Sequence, residues 1–549
     1  MTLPSRPIRP LLLALFLALP AAASAHPPVL EAPASQAAPP SLADFDAFVE
    51  QARREFDVPG IAVAIVKDGE IVLERGYGVR ELGEPERVDE RTLFAIASNT
   101  KAFTAASLSI LADEGRLDLD DRVVEHLPWF QMSDPYVTRE MRIRDLLAHR
   151  SGLGLGAGDL LYWPGTDYST EEVARRLRDV PLTGSFRGQY AYDNILYGVA
   201  QLVIEKASGQ DFDTFLRTRI LDPLGMRDTR YNSDALRVDD NVATGYAKAD
   251  FRTTVPAPRV SWHNVSGAGG LYSNVHDMAQ WMRMQLAGGT YTDAAGKTQR
   301  LFSEKRQNAM WSVITPMPIG SPSVPELLPA KPNFLGYGEG WQLSDYRGHK
   351  LVWHTGGWPG MVSRVTLVPE HGLGVVVLTS AELSAPFHAI TLRVLDTYLG
   401  APRTDWISAY AAALAKARDK ADTDWQQHVA ARDARSKPSL PLPRYAGTYR
   451  DPWYGDVEVV RDGGTLRLRM KPSKDLVGTL EHWQHDTFIV RWDERWLNAD
   501  AFVNFALDHD GRVREVRMEA ISPLTDFSFD FHDLRLVPVE PGAGMQGGA

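Results

Sequence analysis

The chain has 549 residues, 44% of them hydrophobic and 23% charged, with no cysteine and a formal net charge of −11. That length exceeds one ordinary core and implies more than one domain. The acidic balance argues against nucleic acid or anionic lipid as partners, and the lack of cysteine excludes both disulfides and a lipid-bearing cysteine.

Arg6 and Arg9 precede an apolar run at 11–19 that is shorter than the roughly 20 residues of a membrane span, and Ala23-Ser24-Ala25 offers a small-residue cleavage site. Residues 1–25 therefore read as a cleavable signal peptide, with a mature chain from His26, a periplasmic or secreted location and no membrane anchor. Residues 26–41 form an Ala/Pro-rich leader. Residues 44–56 have helical spacing, and 61–66 and 71–75 read as a hairpin turning at Lys67-Asp68-Gly69-Glu70.

Ser98-Asn99-Thr100-Lys101 follows, with an apolar run behind it that reads as a buried helix ending near Gly115. Positions i and i+3 share a helix face, so the Lys101 amine can reach the Ser98 hydroxyl without a third segment. Burial lowers the pKa of a lysine, and a neutral Lys101 can take the proton of Ser98 as its oxygen attacks a carbonyl. The same four residues are also compatible with a plain helix cap followed by a surface lysine.

Two Tyr-x-Asn segments come next. Tyr192-Asp193-Asn194 and Tyr272-Ser273-Asn274 each precede a helical pattern, and local physics does not separate them. His354-Thr355-Gly356 follows the strand-like run 351–353, residues 362–368 and 373–378 read as buried strands, and 390–399 as a closing helix. There is no His-Glu-x-x-His, and His482 and His485 lack a third ligand at a metal spacing, so no metal and no cofactor are expected. Beyond Gly400 the character changes. Residues 406–435 read as a connector helix and 437–443 as a Pro-rich break; 444–538 alternate with period two, as at Leu466, Leu468 and Met470 or Phe527, Phe529 and Phe531, which reads as a small antiparallel barrel or sheet. The tail 539–549 is expected to be disordered.

Taken in chain order, Ser-x-x-Lys, Tyr-x-Asn and His-Thr-Gly resemble the motif set of the serine β-lactamase and penicillin-binding-protein superfamily, in the branch with class C β-lactamases, D-aminopeptidases, carboxypeptidases and family VIII esterases. Leu146-Leu147-Ala148-His149-Arg150-Ser151-Gly152-Leu153, Pro223-Leu224-Gly225-Met226 and Tyr337-Gly338-Glu339-Gly340-Trp341 carry the resemblance further, over residues 42–400. It implies an α+β, β-lactamase/transpeptidase-like fold: an antiparallel sheet flanked by helices with an inserted helical subdomain, followed after the 401–443 connector by a lipocalin-like domain at 444–538. It also favours Tyr192 over Tyr272.

By resemblance, Ser98 is the nucleophile and Lys101 and Tyr192 share the proton handling. The backbone N–H groups of Ser98 and Gly357 form an oxyanion hole, Asn194 orients Lys101 or a substrate amide, and His354, Thr355 and Gly356 bind substrate. His149 organises a loop. His354 stands where relatives carry a lysine; its imidazolium could hold a substrate carboxylate only near or below neutral pH, which disfavours penicillins. The expected activity is acyl-enzyme hydrolysis of small peptides with D-residues or of esters, with a class C-like β-lactamase and a non-catalytic penicillin-binding or sensor protein as alternatives. Homo-oligomers are possible partners. A chain ending near Arg403 is expected to retain a complete hydrolase core.

Overall fold

The computed structural model describes residues 42–540, so the expected signal peptide and leader and the last nine residues of the tail lie outside the described residues. Within them, Val539 N–H donates to the Thr448 carbonyl, so the tail is held in place at least to that residue.

An eight-stranded sheet forms the body, built from β1 (Gly60–Lys67), β2 (Glu70–Gly78), β3 (Thr315–Pro316), β4 (Leu335–Tyr337), β5 (Gln342–Tyr346), β6 (His349–Trp358), β7 (Met361–Val368) and β8 (Leu373–Thr379). Their order is β2-β1-β8-β7-β6-β5-β4-β3, and every paired ladder is antiparallel. Asp68 and Gly69 both have positive φ, 51° and 83°, which is the backbone a two-residue hairpin between β1 and β2 requires.

The period-two pattern of β1 decides what each face covers. Ile61, Val63 and Ile65 join α1 (Phe45–Glu55) and α5 (Ala385–Tyr398) in one core, while Ala62, Ala64 and Val66 join α2 (Thr100–Asp113) and α4 (Val275–Leu286) in the other. The helical subdomain between β2 and β3 carries α2, α3 (Ile195–Ser208) and α4. The closing helix α5 starts five residues before its expected position, because Pro386 is tolerated in a first helical turn.

After α6 (Trp406–Ala431), eight strands β9–β16 (Gly447–Asp451, Gly455–Asp462, Thr465–Met470, Val477–Gln484, Thr487–Trp492, Ala501–Leu507, Val513–Ala520, Val537–Pro538) form a meander. Val537–Pro538 pairs with the first strand and Leu536 bridges Val516, so the barrel is nearly closed. Phe527, Phe529 and Phe531 are not a strand. Their segment is a loop because its intervening polar residues Asp526, Ser528 and Asp530 spend their side chains on the loop itself and on the helical subdomain.

The barrel interior, with Leu468, Phe505 and Val516, belongs to the same continuous apolar cluster as α2 and α3. The independence expected of a chain ending near Arg403 is therefore not what the packing provides, since such a chain exposes part of a shared core.

Candidate active site

Ser98 sits in a 3-10 turn, Ala97–Asn99, that leads straight into α2. Ala97 opens the turn at φ +47°, a left-handed conformation that costs on the order of 1 kcal/mol or more in a non-glycine residue. Two strands hold it there. Asn99 Nδ2 donates to Ser363 Oγ at 2.8 Å, and Ser363 Oγ donates to the Ile96 carbonyl at 2.7 Å. On β6, a Cβ at Gly356 would lie 2.1 Å from the same Ile96 carbonyl, so only glycine lets the strand approach the turn. This corrects the expectation for Gly356: it is buried and does not line the cavity in front of Ser98, whereas His354, Thr355 and Gly357 do.

Lys101 is fully buried. Its Nζ lies 3.1 Å from Ser98 Oγ, 2.7 Å from Asn194 Oδ1 and 2.9 Å from the Ala268 carbonyl. Burial brings its pKa down to about 7, against the opposing pull of Asp159 and Asp193. A neutral amine has two hydrogens and one lone pair; with Asn194 Oδ1 and the Ala268 carbonyl accepting the hydrogens, the lone pair is left for Ser98.

Tyr192 lines the same cavity as Ser98, and its ring centroid is 4.9 Å from Lys101 Nζ. Burial holds its hydroxyl well above the usual phenol range, so it stays protonated. His149 lies under it with ring centroids 4.2 Å apart, and His149 Nδ1 accepts the Asp193 N–H at 3.2 Å. That placement fits a residue that organises the loop, as expected.

His354 is buried between two partners that define its tautomer. Nδ1 must donate to the Thr355 carbonyl at 2.6 Å, which leaves Nε2 to accept from the Tyr337 hydroxyl at 2.8 Å. Burial and the nearby Lys101 push its pKa down to about 3. The imidazolium expected to hold a substrate carboxylate is absent at neutral pH, and His354 is a neutral hydrogen-bonding residue.

A cavity of about 320 Å³ gathers Ser98, Tyr192, Asn194, His354, Thr355 and Gly357. A Cβ at Gly357 would meet nothing within 4 Å, so this position opens onto free space. Other walls escaped sequence reasoning, among them Tyr162, Trp163, Tyr190 and Trp262 from the helical subdomain, and Asp526, Phe527 and Ser528 from the loop of the barrel domain. Tyr272 is elsewhere, ladder-paired to Ala95 with its ring against Trp358. Asp159 was also missed. Its signal was the glycine-dense stretch Gly154, Gly156, Gly158 just before it, where Gly156 and Gly158 take positive φ.

His482 Nε2 bonds the His485 carbonyl at 2.9 Å, in keeping with surface histidines. At the outer end of β6, His349, Glu370 and His371 bring ligand-type atoms within 4.8 Å of one another, with His349 Nδ1 in hydrogen-bond range of both Glu370 Oε1 and His371 Nε2.

A beta-lactamase family model matches residues 45–398. The chain belongs to the beta-lactamase family. Residues 431–538 match a domain of unknown function, DUF3471. An unguisins hydrolase from Aspergillus violaceofuscus is 29% identical over 491 residues, 81% of this chain and 82% of that protein. The octameric penicillin-binding protein homologue from Pyrococcus abyssi superposes with TM-score 0.58 at 22% identity, covering 90% of this chain and 100% of that one. A D-amino acid amidase from Ochrobactrum anthropi gives TM-score 0.52 at 23% identity, over 65% of this chain and 98% of that one. The two solved structures show a shared fold, and with the family match and the hydrolase relative the chain is a serine hydrolase. Among the described residues no helix is long and apolar enough to cross a membrane.

Proposed function

We propose that Ser98 forms an acyl-enzyme with small amides, peptides or esters that present no carboxylate beside the scissile bond. The observation that carries the chemistry is Lys101 Nζ between Ser98 Oγ, Asn194 Oδ1 and the Ala268 carbonyl. Neutral Lys101 takes the Ser98 proton as Oγ attacks the substrate carbonyl. The N–H groups of Ser98 and Gly357 receive the oxyanion, and Tyr192, protonated and in the same cavity, passes a proton to the leaving group, which leaves a tyrosinate and a protonated Lys101 for deacylation. Water then follows the same route in reverse roles to release the acid.

The substrate preference follows from charge. Among the described residues that line the cavity there is no lysine or arginine and the one histidine is neutral, while five tyrosine or tryptophan rings and Phe527 supply apolar walls. A carboxylate placed there meets no cation and is desolvated at a cost. This supports D-aminoacyl amides, internal peptide bonds or neutral esters, none with a carboxylate beside the scissile bond, over penicillins and over peptides with a free C-terminus. The name of the D-amino acid amidase, an enzyme acting on amides, fits the same preference. A periplasmic or secreted location remains part of this proposal on the N-terminal pattern of the sequence alone.

A hydrolysis panel tests it. D-aminoacyl amides, p-nitrophenyl esters, D-Ala-D-Ala peptides and nitrocefin are compared by kcat/KM, with the amides or esters expected to lead. Preferred turnover of nitrocefin or of free-carboxylate peptides overturns the substrate reading.

A further inference from the structure

Behind the cavity lies a buried carboxyl that touches neither Ser98 nor Lys101 directly. Asp159 Oδ2 accepts from Asn194 Nδ2 at 2.8 Å and from Ser528 Oγ at 2.8 Å. Ser528 comes from the barrel domain, 369 residues further along the chain. Asp530 of the same loop accepts the Gly158 N–H at 2.7 Å and the Leu160 N–H at 3.1 Å, clamping the backbone on both sides of Asp159. The loop and the glycine stretch meet closely, since a Cβ at Gly156 would lie 2.7 Å from the Phe527 ring.

An asparagine amide can face either way, and its orientation is dictated by what its two ends meet. An accepting carboxyl oxygen at one end demands the NH2 there, so the carbonyl oxygen must face Lys101. Reversed, the NH2 would compete for the Lys101 lone pair and draw it away from Ser98. We infer that Asp159 is a positioning residue that fixes the Asn194 amide, held in place by Ser528, so that the barrel domain completes the catalytic apparatus; this rests on Ser98 as nucleophile and Lys101 as its base.

The groups facing Lys101 give the inference a signature. Asp159 and Asp193 raise its pKa, the buried His149 and His354 are neutral, and the Tyr192 and Tyr197 rings flank it with protonated hydroxyls. Burial raises the Asp159 and Asp193 carboxyls to about 7 and about 8, so each is ionised over only part of the limb; Asp159→Asn removes the charge that Asp159 develops there, and the acid limb of reactivity moves to lower pH even as the plateau falls. Ser528→Ala withdraws a donor from the Asp159 carboxylate, which then ionises less and supports Lys101 less, and the limb moves the same way by a smaller amount.

The experiment is the rate of covalent labelling of Ser98 by a fluorophosphonate against pH, on the full chain, with thermal melting in parallel. Asp159→Asn is expected to lower the plateau about 10- to 100-fold, the range for losing a hydrogen bond to a charged partner, with the acid limb displaced downward. Ser528→Ala is expected to lower it roughly 5-fold, and Ser528→Thr, which keeps the hydroxyl, to recover most of that. A folded Asp159→Asn with the wild-type plateau and limb overturns the inference, as does a drop in rate that tracks melting without movement of the limb. Where Asp159→Asn does not fold, the same readings on Ser528→Ala decide. Failure of the wild-type chain to label at Ser98 refutes instead the nucleophile reading beneath it.

Discussion

Tyr192-Asp193-Asn194 and Tyr272-Ser273-Asn274 share a pattern and both precede a helix, yet they do unrelated work. Asn274 is a helix cap: its Oδ1 accepts the Asp277 N–H at 2.8 Å. Asn194 makes no such cap, which frees its amide to span from Lys101 to Asp159. Tyr272 is locked in a two-residue ladder with its ring edge-on to Trp358, whereas Tyr192 enters the cavity beside Ser98. Asn274 is followed at the third helical position by Asp277, a capping-box-like spacing, and Asn194 by Tyr197. Such a pair therefore differs in what the asparagine is left free to do.

The sharpest break in that comparison starts from the nucleophile. Ser98→Ala is expected to abolish probe labelling and lower kcat on the order of 10⁶-fold with an unchanged melting temperature, and unaltered hydrolysis would remove the assignment altogether. Tyr192→Phe should cost roughly 10²- to 10⁴-fold in kcat, as for a lost acid–base group, while Tyr272→Phe should leave kcat within a few-fold. The opposite ranking exchanges the roles of the two segments.

A smaller effect is the pH profile. Lys101 must be neutral to act and its pKa is brought down to about 7, so kcat/KM should climb as pH rises through about 7 and level off above it. A profile flat from about pH 5 to 9 speaks against a titrating lysine. Over the same range His354 stays neutral, because its pKa is pushed down to about 3. KM for an anionic peptide should accordingly not improve on acidification from about pH 7.5 to 6 relative to a neutral ester; a selective improvement would restore the imidazolium. The mildest change in activity is Asn274→Ala, which should lower stability by about 2 kcal/mol through the lost cap and the lost bonds from Nδ2 to the Arg91 carbonyl and Asp228, with kcat unchanged. A drop in kcat without a drop in stability would show that this asparagine is more than a cap.

Much of this architecture is legible in the amino-acid sequence. The β1–β2 hairpin, α1, α2, β7, β8 and α6 fall within a few residues of where spacing puts them, and Ser98 meets Lys101 as the i, i+3 rule requires. These features are local: a turn needs its own Asp-Gly, and a helix face needs only its own periodicity. The expectations that did not hold are those whose outcome depends on distant partners. The charge expected at His354 is removed by burial and by the nearby Lys101, against the opposing pull of the Thr355 carbonyl. The alternating phenylalanines at 527–531 have strand spacing, but their polar neighbours find better partners in Asp159 and the Gly158–Leu160 backbone than in a ladder.

The sequence alone thus determined the chemistry available to this protein, a hydroxyl with an amine three residues on, because that pairing closes within one helical turn. It also set the layered sheet and the antiparallel barrel, because alternation and turn residues act over a few positions. Only the tertiary structure decided which tyrosine faces Ser98, which way the Asn194 amide points, that His354 is uncharged, and that a loop of the barrel domain walls the cavity. Each of these depends on burial and on hydrogen-bond partners separated by tens to hundreds of residues, and desolvation and partner geometry exist only once the chain has brought those partners together.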